Sequence, residues 1–320
     1  MTVTGSEWEF ISLLFSASTT QPYLLKRYES LGYSDAKEAS YLNCSTFIHY
    51  LEHAYTHYRS AETVPHSIRP NLLFYGYTQL LKACLLTVDP FYPSSTALLA
   101  HGVSTRKRKK KQYEFLNDEI KIQKDGLFSF MAEKMFHMKH LENDKLSMQS
   151  LLAEIPEMHE QMQYFQKPAT FAIKKVKEGI YKIHAGILGA YSTTPGGFAT
   201  FISDSLKQNL VIEEAKHHLS LYAENTIQLD NRPPFRYNMM TDEYHISSQK
   251  KENSFLFSDI MIQYLLLYNL SMIARYETDW WLDLLKTTPN EDYPLIMRFM
   301  DIAQQKGPYL ITQWLKKESI

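Results

Sequence analysis

The sequence is poor in glycine, in cysteine and in net charge, and each shortage excludes something. Glycine supplies 11 of 320 residues, about half the usual share of roughly 7%. Folds built from many tight turns are therefore disfavoured. Neither the G-x-G-x-x-G nor the G-x-x-x-x-G-K-[ST] phosphate loop occurs. Only two cysteines are present, Cys44 and Cys84. A disulfide framework is not expected, and that favours a reducing compartment. The formal net charge is −1, so no global field draws the chain to nucleic acid or to a membrane surface. Long apolar runs are missing as well. The most apolar stretch, 255–274, is interrupted by Ser258, Asp259, Gln263, Asn269 and Ser271, whereas a bilayer span needs about 20 predominantly apolar residues. Met1–Trp8 lacks the basic-then-apolar order of a signal peptide. These features together read as a cytoplasmic chain with no membrane contact.

Helical periodicity dominates both ends. The segment 36–60 places Tyr41, Cys44, Ile48, Leu51, Tyr55 and Tyr58 on one stripe. A second helix, 67–88, carries Leu73, Tyr77, Leu80, Leu81, Cys84, Leu85 and Val88, and Asp89-Pro90 stops it. Near the C-terminus a long helix opens at Ser258 and breaks near Thr278. Another covers 291–305, and Gly307-Pro308 separates it from a last one ending near Lys317. The middle differs. Asp125-Gly126 is a hairpin signal near 119–130. A helix over 147–165 resets at Pro156. Between 169 and 248, segments of period two alternate with helical pieces; 211–222 fits helix or strand. The expected class is thus α+β and predominantly α-helical. Helices from both chain ends pack together around a small strand-containing middle. The expected divisions are 1–168, 169–254 and 255–320, within what could be one domain.

Several groups of residues bear on function. Arg106, Lys107, Arg108, Lys109, Lys110 and Lys111 form six consecutive positive charges. Such a block can neutralise phosphates and release counterions, and Tyr113 and Phe115 follow it as candidate stacking groups. Arg69, Lys82, His101 and Ser104 supply a guanidinium, an ammonium, an imidazole and a hydroxyl. That set suits an anion such as phosphate. His49, His53 and His57 recur every four residues, but the H-E-x-x-H order is absent, so neither a metal nor another cofactor is assigned. Arg275 stands four residues before Asp279, the spacing of a helical ion pair; Trp280 and Trp281 suit a core. Five of the glycines fall between 179 and 197, and Thr193–Gly197 reads as a loop. Arg59 and His66 make an R-x₆-H spacing similar to the ribonuclease motif of the HEPN helical superfamily. No catalytic residue can be named from spacing alone.

Three strings carry a further resemblance: SIRPNLLFYGYTQLLKACLL at 67–86, HGVSTRKRKK at 101–110 and YLLLYNLSMIARYETDWW at 264–281. With them the chain resembles the YaaC-like protein family of Bacillus and related bacteria over nearly its whole length. The resemblance implies a bacterial cytosolic protein and supplies no activity or catalytic residue. The expectation from the residues is a non-catalytic binder of a phosphate-bearing ligand, a nucleotide or nucleic acid. An RNA-cleaving enzyme of HEPN type and a protein-interaction module are the alternatives, and a second copy of the chain is a candidate partner.

Overall fold

A computed structural model describes residues 5–105, 113–223, 227 and 229–317. In chain order the helices and strands are α1 Ser6–Leu13, α2 Ala17–Ser30, α3 Ala36–Thr63, α4 Arg69–Val88, β1 Val103–Thr105, β2 Glu119–Ile122, α5 Leu127–Phe136, β3 Lys145–Ser147, α6 Met148–Leu152, α7 His159–Tyr164, β4 Phe171–Lys177, β5 Ile180–His184, α8 Ile187–Tyr191, α9 Pro195–Leu206, β6 Leu210–Glu214, β7 His218–Ala223, β8 Phe235–Asn238, β9 Glu243–Ile246, α10 Asp259–Tyr276, α11 Thr278–Thr287 and α12 Asp292–Lys317. The class is α+β and mostly helical, as the periodicity implies. None of the helices among the described residues is long and apolar enough to cross a membrane.

The chain forms two compact units. The first takes in residues 1–114, 118–145 and 263–320, and the second 115–117 and 146–262. The first unit therefore joins helices from both chain ends. α3 and α4 lie against each other, and α12 packs on α4 and α1. α3 buries Cys44, Phe47, Leu51, Ala54, Tyr58 and Ala61. These residues alternate steps of three and four, which keeps them on one face of a 3.6-residue helix. The sequence-based stripe differs on one flank: Tyr41 is 74% exposed, and Tyr55 sits at the surface against Trp8 and Phe15. Positions 41, 48 and 55 each precede a buried residue (44, 51 and 58) by three, about 60° round the helix from it, and so lie on the flank of the buried face. Gly76 of α4 lies against α3. A Cβ there would stand 2.9 Å from Tyr58 Cδ2 and 3.0 Å from His57 Cβ, so the missing side chain is what allows the approach.

Two punctuation signals act differently from expectation. Gly307-Pro308 does not interrupt α12; both residues are buried inside that helix. Proline removes one helical hydrogen bond, and the helix is held instead by its packing, with Gly307 directly against Tyr58 and Tyr77. Asp125-Gly126 leads into α5, with Gly126 at φ 123°. β2 pairs antiparallel with β1, Val103 opposite Ile122.

The second unit contains a six-stranded sheet in the order β6-β7-β5-β4-β9-β8, and its neighbouring strands run antiparallel. The expected middle region, 169–254, lies within this unit. The ambiguous segment 211–222 is two strands. One sheet face supplies Tyr181, Ile183, Leu219 and Leu221 to a core completed by Ile187, Tyr191, Phe198 and Ile202 from α8 and α9. Thr193–Gly197 is more ordered than a loop: the Thr194 hydroxyl accepts from the Gly197 amide at 3.2 Å and caps α9. Period two over 226–229 reads as a strand, and of those residues only 227 and 229 are described. Arg236 on β8 is fully buried in this unit. Its guanidinium meets Glu154 at 2.9 Å and Asp259 at 3.1 Å and also donates to the Phe255 carbonyl. The Ser247 hydroxyl donates to the second Glu154 oxygen at 2.7 Å. This polar knot is internally satisfied and structural.

Candidate anion site

The first unit brings two cationic side chains, Lys82 and Arg275, within electrostatic reach of one imidazole, His101. α4 turns Tyr75 and Lys82, seven residues apart, to one side. Facing them, α3 contributes Tyr50 and His57: Lys82 Nζ lies 5.6 Å above the Tyr50 ring, and the His57 and Tyr75 rings stack at 6.3 Å. These contacts follow from two antiparallel amphipathic helices whose flanks carry aromatics beside the apolar seam.

His101 enters from the segment before β1. Its carbonyl accepts from the Tyr264 hydroxyl at 2.9 Å. Its ring rests against Phe74 at 5.1 Å and Tyr268 at 5.4 Å. Burial, and then the positive charges of Arg275 and Lys82, hold this imidazole below the ordinary histidine range. It is therefore neutral at pH 7, with one N–H to donate. Burial likewise pushes the Lys82 ammonium below the usual lysine range.

Arg275 comes from the last turn of α10. Its Nη1 donates to the Tyr75 hydroxyl at 2.9 Å, and its Nε donates to the Ser271 carbonyl at 3.0 Å. The guanidinium carbon lies 5.6 Å from the Tyr75 ring centre and 5.4 Å from that of Tyr276. The helical pairing of Arg275 with Asp279 does not form. α10 ends at Tyr276, and α11 starts anew at Thr278, so the two residues no longer share one helix face. Among the described residues neither Lys82 nor Arg275 has a carboxylate within ion-pair distance. Two half-buried cations whose charges reach a neutral imidazole thus lack internal compensation, an arrangement suited to an anion from outside.

The other expected residues sit elsewhere in the chemistry. Arg69 opens α4, buried, with its Nη1 2.7 Å from Asp301 of α12, so its charge is matched within the fold. Ser104 lies on β1, and its hydroxyl accepts from Gln123 Nε2 at 2.7 Å. Arg106, Lys107, Arg108, Lys109, Lys110 and Lys111 lie outside the described residues. Past that run, the Tyr113 hydroxyl donates to Asp118 at 2.7 Å, and Asn269 of α10 donates to the same carboxylate oxygen at 2.9 Å. Trp280 packs edge-on to Tyr113 at 4.6 Å, while Trp281 is buried and donates to the Ser67 carbonyl. Arg59 is exposed and paired with Glu62 at 3.2 Å, and His66 is exposed in the turn before α4. Both cysteines are unpaired and buried. Among the described residues no group of three or more His, Cys, Asp and Glu side chains could hold a metal ion.

Against known families, the model described as YaaC-like Protein matches residues 12–315. The chain belongs to the YaaC-like family. The match includes α4, His101 and α10, and so Lys82, His101 and Arg275 alike. No curated protein and no solved structure matches the chain. For this YaaC-like chain the argument about function thus rests on the site itself. Sequence reasoning had selected Lys82 and His101 but not their partnership with Arg275 and Tyr75. A contact between positions 200 apart leaves no local spacing to read.

Proposed function

We propose that this YaaC-like chain binds a phosphate-bearing ligand, a nucleotide or nucleic acid, and does so without chemically transforming it. One observation carries the reading. Lys82 and Arg275, half-buried, lie close enough to His101 for their charges to lower its basicity, and neither has a carboxylate partner among the described residues. A phosphate there accepts charge-assisted hydrogen bonds from both cations and a neutral one from the imidazole. Tyr50, Tyr75 and Tyr268 supply the aromatic surroundings. In this reading the run 106–111 meets further phosphates along a polymeric ligand, which its six positive charges would serve through counterion release. Arg69 braces α4 against α12 and so positions Lys82 indirectly. Ser104 holds the strand that follows His101. The setting is the bacterial cytoplasm implied by the resemblance.

The test is equilibrium binding of labelled RNA, single-stranded DNA and nucleotides over a salt series. For a single strand, each phosphate neutralised adds about 0.7 to the magnitude of the slope of log K against log salt. Saturable, salt-sensitive binding that weakens in Lys82→Met and Arg275→Met supports the reading. The absence of binding at low salt refutes it.

A further inference from the structure

The repeat of three histidines on α3 is resolved by the structure into a pair and an outlier. The rings of His53 and His57 lie 4.6 Å apart, centre to centre, with their planes tilted by 39°. His57 is half-buried, its far side against Tyr75. His53 is exposed to solvent. Neither imidazole has a hydrogen-bond partner among the described residues, so their ring nitrogens are uncommitted. Burial, with the neighbouring His53 second, holds His57 below the ordinary histidine range. His49, one turn earlier, is exposed and takes no part in the stack.

We infer that His53 and His57 chelate a single divalent transition-metal ion of the zinc, nickel or copper kind, with water or an exchangeable ligand in its other positions. Two imidazole nitrogens at the usual metal distance of about 2.0–2.1 Å stand roughly 3 Å apart on the ion. Side chains at i and i+4 of a helix reach that separation, and rings 4.6 Å apart need only a small rotation to do so. A nitrogen-only pair favours these metals over magnesium or calcium, which take oxygen ligands. With no third protein ligand among the described residues, the ion binds reversibly and keeps positions open toward solvent. The site is independent of the anion reading, since it uses neither Lys82, His101 nor Arg275.

The test uses the full-length chain without a histidine tag, stripped with chelator and titrated by calorimetry with nickel and with zinc at pH 7.5. The expected result is one saturable site per chain. It should be lost in the exposed variant His53→Ala and retained in His49→Ala, and it should weaken as the pH is lowered, because protons compete with the metal for imidazole nitrogens. Affinity should rise from nickel to copper and be undetectable for magnesium. Circular dichroism of His53→Ala, matching the wild type, separates lost ligation from lost fold. No saturable uptake by the wild type, uptake that survives His53→Ala, or loss in His49→Ala would each overturn the inference.

Discussion

Replacing Lys82 with methionine tests whether that lysine serves the fold or a ligand, because the two roles give opposite signs. Methionine fills much of the same space but removes the ammonium that lies over the Tyr50 ring, and with it the charge. In the free protein that charge is half-buried, shifted downward by burial, and matched by no carboxylate among the described residues. The sign of its effect follows from linkage. A lysine that is harder to protonate folded than unfolded costs stability while charged, at every pH below its folded value. Lys82→Met should therefore leave stability unchanged or raise it by at most about 1 kcal/mol, and should not lower it. Binding moves the other way. A charge-assisted hydrogen bond to phosphate contributes about 1.5–3 kcal/mol, which corresponds to a loss of about 10- to 150-fold in affinity. Urea unfolding reads the first quantity, and fluorescence anisotropy of a labelled oligonucleotide reads the second. A variant destabilised by about 2 kcal/mol that binds as well as wild type would show that Lys82 is a structural residue and would refute the reasoning.

Other outcomes follow from the same geometry. Because His101 is harder to protonate folded than unfolded, stability should fall as pH drops below about 6.5 and then level off beneath its folded value. In the same window protonation adds a third positive charge to the site. Affinity for a phosphodiester, whose own charge is constant there, should rise between pH 7.5 and 5.5 and stay flatter in His101→Gln. Arg236→Ala should cost about 3–5 kcal/mol in urea unfolding, since it strands the Glu154 and Asp259 carboxylates; a loss below 1 kcal/mol would contradict the buried-knot account. Gly76→Ala should cost about 1–3 kcal/mol by overpacking α3 against α4, and a neutral result would mean that the helices separate without strain.

Much of the helical framework was legible in the sequence because its signals are local. The stripe Leu73, Tyr77, Leu80, Leu81, Cys84 and Leu85 on α4 is buried as periodicity implies, with its last member Val88 only partly so, and the break near Thr278 separates α10 from α11. Where tertiary packing outweighs a local rule, reading along the chain falls short. Gly307-Pro308 stays inside α12, since Gly307 is where Tyr58 and Tyr77 press against that helix. The segment 211–222 hid two strands because its turn, Ala215–His217, contains no glycine, proline or asparagine to mark it. The candidate site was half legible. Residue types singled out Lys82 and His101, but that Arg69 belongs to Asp301 and Arg275 to Tyr75 depends on helices meeting across some 200 residues or more. No spacing rule reaches that far.

The most direct measurement is a low-salt titration of the wild type and of the Lys82→Met/Arg275→Met double variant with a labelled single-stranded oligonucleotide. The account predicts saturable binding by the wild type, weakening as salt is added. The double variant should lose at least about a hundredfold in affinity while keeping the wild-type circular dichroism spectrum, each lost contact contributing at least about 1.5 kcal/mol. Equal binding by the two proteins, or none by the wild type, would contradict an anion site built from Lys82, His101 and Arg275.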